Sequence, residues 1–128
     1  MKILVLGAGR MGLGAAYDLA HNSAGIEAVT VADLDVGRAR AVVETVGNSR
    51  LGAAQIDVSD HASVVELMRG HDACISCVTY SYNLALARAA IEARTNFCDL
   101  GGNNTVVDAE LALDAEARAA GINIIPDC

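Results

Sequence analysis

The chain has 128 residues, of which 53% are hydrophobic, 3% aromatic and 20% charged, with a formal charge of −7. That length holds one domain with a real core and is too short for two, and the aliphatic content excludes a disordered chain. The acidic balance excludes a nucleic-acid partner, which needs surplus Lys and Arg to displace counterions, but leaves room for a small anion held by backbone amides.

The first apolar run, Ile3–Leu6, breaks at Gly7. It is therefore no signal peptide, and no stretch approaches membrane-spanning length. No membrane partner is expected, and the cytoplasm is the default compartment. Short β-branched runs then alternate with alanine-rich segments. Strands are predicted at 2–6, 28–32, 54–58, 73–78, 96–100 and 122–125, and their near-continuous apolar character suits burial on both faces. Helices are predicted at about 11–22, 36–46, 61–69, 81–93 and 105–120. Asp35 and Asp60 are positioned to cap the second and third, Asn104 or Thr105 to start the fifth, and Gly47, Gly70 and Gly121 to end three of them. In the fifth helix Leu111 and Ala115 share a face. The alternation requires crossover connections and a parallel sheet. The expected fold is α/β: one Rossmann-like, doubly wound sheet of six strands, ordered 3-2-1-4-5-6, with helices on both faces. Such a sheet takes its ligand at the carboxyl ends of the strands, where the order reverses.

Gly7-Ala8-Gly9-Arg10-Met11-Gly12 follows the first strand and opens an amphipathic segment. In this G-x-G-x-x-G each glycine has its own mechanical task. Gly7 permits the tight turn, Gly9 lets a diphosphate approach the backbone, and Gly12 lets the helix pack close to the sheet, while free amides face the anion. The bland alternative is a glycine-rich turn without a ligand, and the strand–helix context weighs against it. Arg10 lies either over the diphosphate or in solvent.

Asp33 ends the second strand, 21 residues after Gly12. A carboxylate there accepts hydrogen bonds from ribose hydroxyls and repels the 2′-phosphate of NADP. NAD is the expected cofactor and NADP the less expected one. Leu34 stands where an NADP binder often has a small residue or an arginine. Arg38 alone could reach a 2′-phosphate, though an exposed helix face also accounts for it.

Asp57 and Val58 either meet adenine or, with Asp60, start the next helix. The loop Val78-Thr79-Tyr80-Ser81-Tyr82-Asn83 holds two of the three tyrosines, which suggests a ligand or packing surface. The tyrosines could equally cover the sheet edge or another domain. Asp99-Leu100-Gly101-Gly102 allows close backbone approach or a plain turn. Cys74 and Cys77 lie three apart on a strand, so they point to opposite faces and read as buried small hydrophobes rather than metal ligands. His21, His61 and His71 have no ligand-like spacing and are expected at the surface near helix ends, so no metal is expected.

These segments together resemble the N-terminal NAD(P)-binding domain of the saccharopine dehydrogenase family, and look closest to its lysine 6-dehydrogenase-like members. The carrying stretches are Lys2–Gly12, Val31–Asp35, Val78–Asn83, Asp99–Gly102 and Ile124–Cys128. The resemblance implies the cofactor half of an oxidoreductase that acts at a C–N bond of an amino acid by hydride transfer to a nicotinamide. It matches Gly7, Gly9, Arg10, Met11 and Gly12 to the diphosphate loop and Asp33 to the ribose acid. It brings Asp57 and Val58 near adenine, Thr79 and Tyr80 near the nicotinamide ribose, and Asp99, Leu100 and Gly101 to the active-site cleft. Family members continue past the position of Cys128 into a domain with most substrate contacts and the dimer interface. The expectation is thus an N-terminal fragment of a homodimeric enzyme, inactive alone. Rival readings are a stand-alone NAD/NADH-sensing module of a transporter or repressor, and a domain that kept the fold but lost the ligand.

Overall fold

The computed structural model describes all 128 residues. Strands β1 (Lys2–Leu6), β2 (Ala28–Asp33), β3 (Leu51–Gln55), β4 (Ala73–Ser76), β5 (Asn96–Asp99) and β6 (Ile124–Ile125) alternate with helices α1 (Arg10–His21), α2 (Val36–Val46), α3 (His61–Arg69), α4 (Asn83–Ala93), α5 (Asn104–Leu111) and α6 (Asp114–Ala120). All pairings are parallel and the order is β3-β2-β1-β4-β5-β6. β1 lies at the centre, with Val5 opposite Val31 on one side and Ile75 on the other. Its Ile3, Leu4, Val5 and Leu6 are all buried, because helices cover both of its faces.

One face packs Leu4, Leu6, Cys74 and Phe97 against α3, α4 and α6; the other packs Val31 against the alanines and valines of α1 and α2. Each fully buried Leu or Phe contributes about 1.5–3 kcal/mol. Asp35 and Asp60 cap α2 and α3 by accepting from the N–H groups of Gly37 and Ser63, each worth about 1 kcal/mol. No helix is long and apolar enough to cross a membrane.

Four local expectations change. β3 occupies Leu51–Gln55, three residues before the predicted run, because its register to Val29–Asp33 is set there. Its small residues Gly52, Ala53 and Ala54 suit an edge strand although their intrinsic strand preference is low. The predicted fifth helix is two helices. α5 starts at Asn104, as expected, with Asn103 as its cap, and a new first turn rich in acid, Asp114 and Glu116, starts α6. Across the two helices and the turn between them the buried positions are Glu110, Leu113 and Ala117, while Leu111 and Ala115 face outward. A 3₁₀ turn, Tyr80–Tyr82, precedes α4. Finally, His71 is half-buried rather than a surface residue. Its Nδ1 donates to the Leu67 carbonyl at 2.9 Å, which leaves Nε2 to accept from the Thr30 hydroxyl at 2.8 Å.

Candidate functional site

The turn leaving β1 is held from both sides. Gly7 donates to the Ala32 carbonyl at 2.7 Å and has φ +98°. A Cβ there would meet the Cys77 carbonyl at 2.9 Å. Only glycine satisfies both the backbone angle and the space. Gly12 lies directly over the Gly7 carbonyl, so any side chain at that position collides with it. The middle glycine differs. Around Gly9 a Cβ would meet nothing within 4 Å. Its missing side chain therefore serves no packing within the protein and leaves space for an approaching group.

Gly9 is the N-cap of α1 and offers no side-chain cap. The N–H groups of Arg10, Met11 and Gly12 lie in the first helical turn and find no acceptor in the fold. Unpaired donors at the positive end of a helix form an anion site.

Asp33, at the end of β2, bounds this loop. Its Oδ2 accepts from Ala8 N–H at 2.7 Å and its Oδ1 from Asp35 N–H at 3.0 Å. The carboxylate is thus fixed beside the glycine turn, while Asp35 spends its own side chain capping α2.

A crevice of about 400 Å³ opens at the carboxyl ends of β1, β2 and β4. It brings together eight of the predicted residues: Gly7, Gly9, Asp33, Leu34, Asp57, Val58, Val78 and Thr79. Ala32, Arg38, Ile56, Cys77 and Tyr82 complete its lining. Arg38 is its single basic group. Asp57 keeps its carboxylate by bonding Ser59, whose hydroxyl and N–H donate at 2.6 and 2.9 Å; these two bonds hold its pKa below the ordinary carboxylate value.

Of the other predicted residues, Arg10 and Met11 are exposed at the start of α1, and Gly12 is buried beneath the loop. Tyr80 is exposed and packs against Gly102, where a Cβ would meet its ring at 3.3 Å. Asp99, Leu100 and Gly101 do not line the crevice: they sit one strand further along, with Asp99 wholly buried under α5. Cys77, expected as a buried hydrophobe, lies past the end of β4 in the crevice wall, and burial pushes its thiol up to about 11. Nothing in the sequence marks this, because the apolar run continues through Cys77 to Val78. The four cysteines are free, and no cluster of His, Cys, Asp or Glu could hold a metal.

The residues present fit a dinucleotide. The open space at Gly9, the orphaned amides behind it and the carboxylate at the end of β2 answer a diphosphate and a ribose in turn. A family model described as the saccharopine dehydrogenase NADP binding domain matches residues 3–125. The chain belongs to this family. Solved structures share the fold of the saccharopine dehydrogenase domain at low identity. Saccharopine dehydrogenase (L-Glu forming) from Saccharomyces cerevisiae is 24% identical with a TM-score of 0.81, over 98% of this chain and 26% of that one. A putative myo-inositol dehydrogenase from Sinorhizobium meliloti is 17% identical, TM-score 0.70, over 98% and 35%. Shikimate dehydrogenase from Mycobacterium tuberculosis is 19% identical, TM-score 0.69, over 98% and 45%. The chain thus spans about a quarter to a half of these proteins.

Proposed function

We propose that this domain holds NAD as the cofactor-binding part of an oxidoreductase acting at the C–N bond of an amino acid. The observation that carries the reading is the Asp33 carboxylate fixed at 2.7 Å on the glycine loop, inside the crevice and beside unpaired helix amides. Arg10, Met11 and Gly12 would donate to the diphosphate through their backbone. Asp33 would receive the adenosine ribose hydroxyls, with Leu34 beside them, and Asp57 and Val58 would border the adenine. Val78, Thr79 and Tyr80, ahead of α4, would border the nicotinamide ribose. The bound nicotinamide supplies a hydride acceptor or donor. The chain's own contribution is to hold the phosphates and fix the position of that ring.

The family description names NADP. We nevertheless favour NAD, because a carboxylate at the end of β2 repels a 2′-phosphate and Arg38 is the single cation lining the crevice to offset it. The amino-acid substrate, a homodimeric assembly and the residues of catalysis belong in this reading to the whole enzyme, of which these 128 residues would be the N-terminal domain. Its compartment would be the cytoplasm, which suits four unpaired thiols.

Calorimetric titration of the 128-residue chain with NAD, NADH and NADPH tests the proposal. Weak binding, with NAD(H) ahead of NADPH and no turnover, is the expected result. Tight, NADH-selective binding would instead favour a sensing module, and no binding at millimolar cofactor would overturn the reading.

A further inference from the structure

Two buried carboxyl groups lie outside the crevice and have no task in the reading above. Asp99 ends β5 with no exposed surface, and Glu110, near the end of α5, is 2% exposed. Asp99 Oδ1 accepts from Gly101 N–H at 2.6 Å and from Asp127 N–H at 3.3 Å. The remaining three oxygens, Asp99 Oδ2 and both Oε atoms of Glu110, receive no hydrogen bond from any donor of the chain. Asp99 is close enough for its charge and its side chain to act on the Glu110 carboxyl.

No cation compensates them. α6 brings Asp114 and Arg118, which pair with each other at 2.8 Å and are largely exposed. On α5 itself Asp108 faces solvent, and on α4 Arg88 and Glu92 do the same, Glu92 bonded to His61. The turn after β6 adds another acid, Asp127, and the Cys128 thiol, and β5 adds the Cys98 thiol, which burial pushes up to about 11; none of these is a cation. Two ionised carboxylates in contact, buried and without a counter-charge, are not a stable arrangement. A single proton resolves it, since a protonated carboxyl donates one bond where a carboxylate donates none. Two backbone donors stabilise the ionised form of Asp99 and none does so for Glu110. The donor count therefore assigns that proton to Glu110, facing Asp99.

The geometry also states what the pair holds. Gly101 and Asp127 lie in the turns after β5 and β6, and both carry left-handed backbone angles, φ +66° and +58°. Asp99 Oδ1 ties the two turns side by side, and the next residue, Gly102, packs on Tyr80 at the loop ahead of α4. We propose that Asp99 and Glu110 share one proton, and that this pair positions the turns after β5 and β6 against the nicotinamide half of the crevice. The proton stands on the burial of both groups and their unpartnered oxygens, and the fastening on the two bonds to Asp99; their meaning for the crevice rests on the dinucleotide reading.

Burial first, and then the bond and charge of Asp99, push the Glu110 carboxyl from 4.5 up to about 8. The folded value is above the unfolded one. Stability from the neutral acid is thus complete below about pH 4.5, is lost as pH climbs through about 8, and changes no further beyond. Glu110→Gln keeps a donor toward Asp99 and cannot ionise. Urea unfolding of the native chain and this variant from pH 5 to 9 gives the ratio of their folding constants. The ratio should fall about tenfold per pH unit between about 5 and 8 and then level. Amide exchange, corrected for its intrinsic rate, should show Gly101 and Asp127 losing protection above pH 8 in the native chain only. A flat ratio, or protection indifferent to pH, overturns the proposal.

Should Glu110→Gln fail to fold, the ¹³C-carboxyl signal of Glu110 in the native chain decides: a midpoint above 7 supports the pair, and one at 4–5 overturns it. NADH titration at pH 6 and pH 9 checks the link to the crevice. Affinity that weakens severalfold at pH 9 in the native chain alone supports that link, and equal affinity refutes it. If NADH fails to bind at either pH, the proposed function falls, and the pair is decided by the folding data.

Discussion

Asp33→Ala separates what the acid does for the fold from what it does for a ligand. In the free protein Asp33 accepts from Ala8 N–H and Asp35 N–H. Asp35 N–H is exposed and exchanges its partner for water, whereas Ala8 is buried. A buried N–H left without a partner costs about 1–3 kcal/mol. Taking about 2 kcal/mol, and about 2.1 cal/mol/K per residue for the entropy of unfolding, Tm should fall by about 7 °C. The ligand effect is distinct. NADH loses charge-assisted bonds to its ribose, while NADPH loses a repulsion, so the ratio of the two dissociation constants should move toward NADPH by tenfold or more, about 1.4 kcal/mol. Asp33→Asn keeps one acceptor for Ala8 and should recover part of the Tm while leaving the cofactor ratio shifted. Thermal unfolding by circular dichroism and calorimetry with both reduced cofactors give the two numbers. A folded variant whose cofactor ratio does not move refutes the ribose role, and an unchanged Tm refutes the tether.

The glycines of the loop should part company. Gly9→Ala meets no atom in the free fold, so stability should stay within about 0.5 kcal/mol while NADH affinity drops at least tenfold; a destabilised variant would contradict the open space. Gly12→Ala collides with the Gly7 carbonyl and forces α1 off the sheet, at about 3 kcal/mol; urea unfolding checks it, and a neutral result would mean the helix yields freely. Thiol labelling should follow exposure and ionisation. Cys128 is exposed, burial holds the Cys77 and Cys98 thiols up at about 11, and the Cys74 thiol is wholly buried in the core and pushed well up. Iodoacetamide at pH 8 should therefore modify Cys128 first and Cys74 only on unfolding, and saturating NADH should slow Cys77 alone; equal rates at all four would contradict the burial.

The strand order, the glycine turn and the acid beside it were legible because each has a local cause. A parallel sheet demands apolar runs such as Ile3–Leu6 and Ala28–Ala32, and a helix start demands a cap such as Asp35 or Asp60. What escaped depends on partners distant in the chain. β3 takes its limits from β2, not from its own Gly52 and Ala53, so the β-branched Ile56 and Val58 drew the prediction past the true strand. Cys77 enters the crevice through the turn that brings the end of β4 beside the loop, which spacing alone does not reveal. Glu110 does carry a signal: it shares a helical spacing with Leu113 and Ala117, and a carboxylate on an apolar stripe announces a buried partner. Leu111 and Ala115 formed an equally regular stripe, and only the position of Asp99 distinguishes the two.

The central position of β1 has a consequence for how the chain reaches this structure. Ile3 pairs with Val29, 26 residues on, but its other neighbour, Ala73, is 70 residues away. At roughly 5–20 residues per second of synthesis, the second neighbour leaves the ribosome roughly 4–14 s after the first strand. Through that interval Ile3–Leu6 would offer an unpaired apolar edge, a surface that holdase chaperones bind and that aggregates when crowded. Closure of the nascent sheet waits on β4, so the slow step of folding should be the docking of β4 onto the open edge of β1.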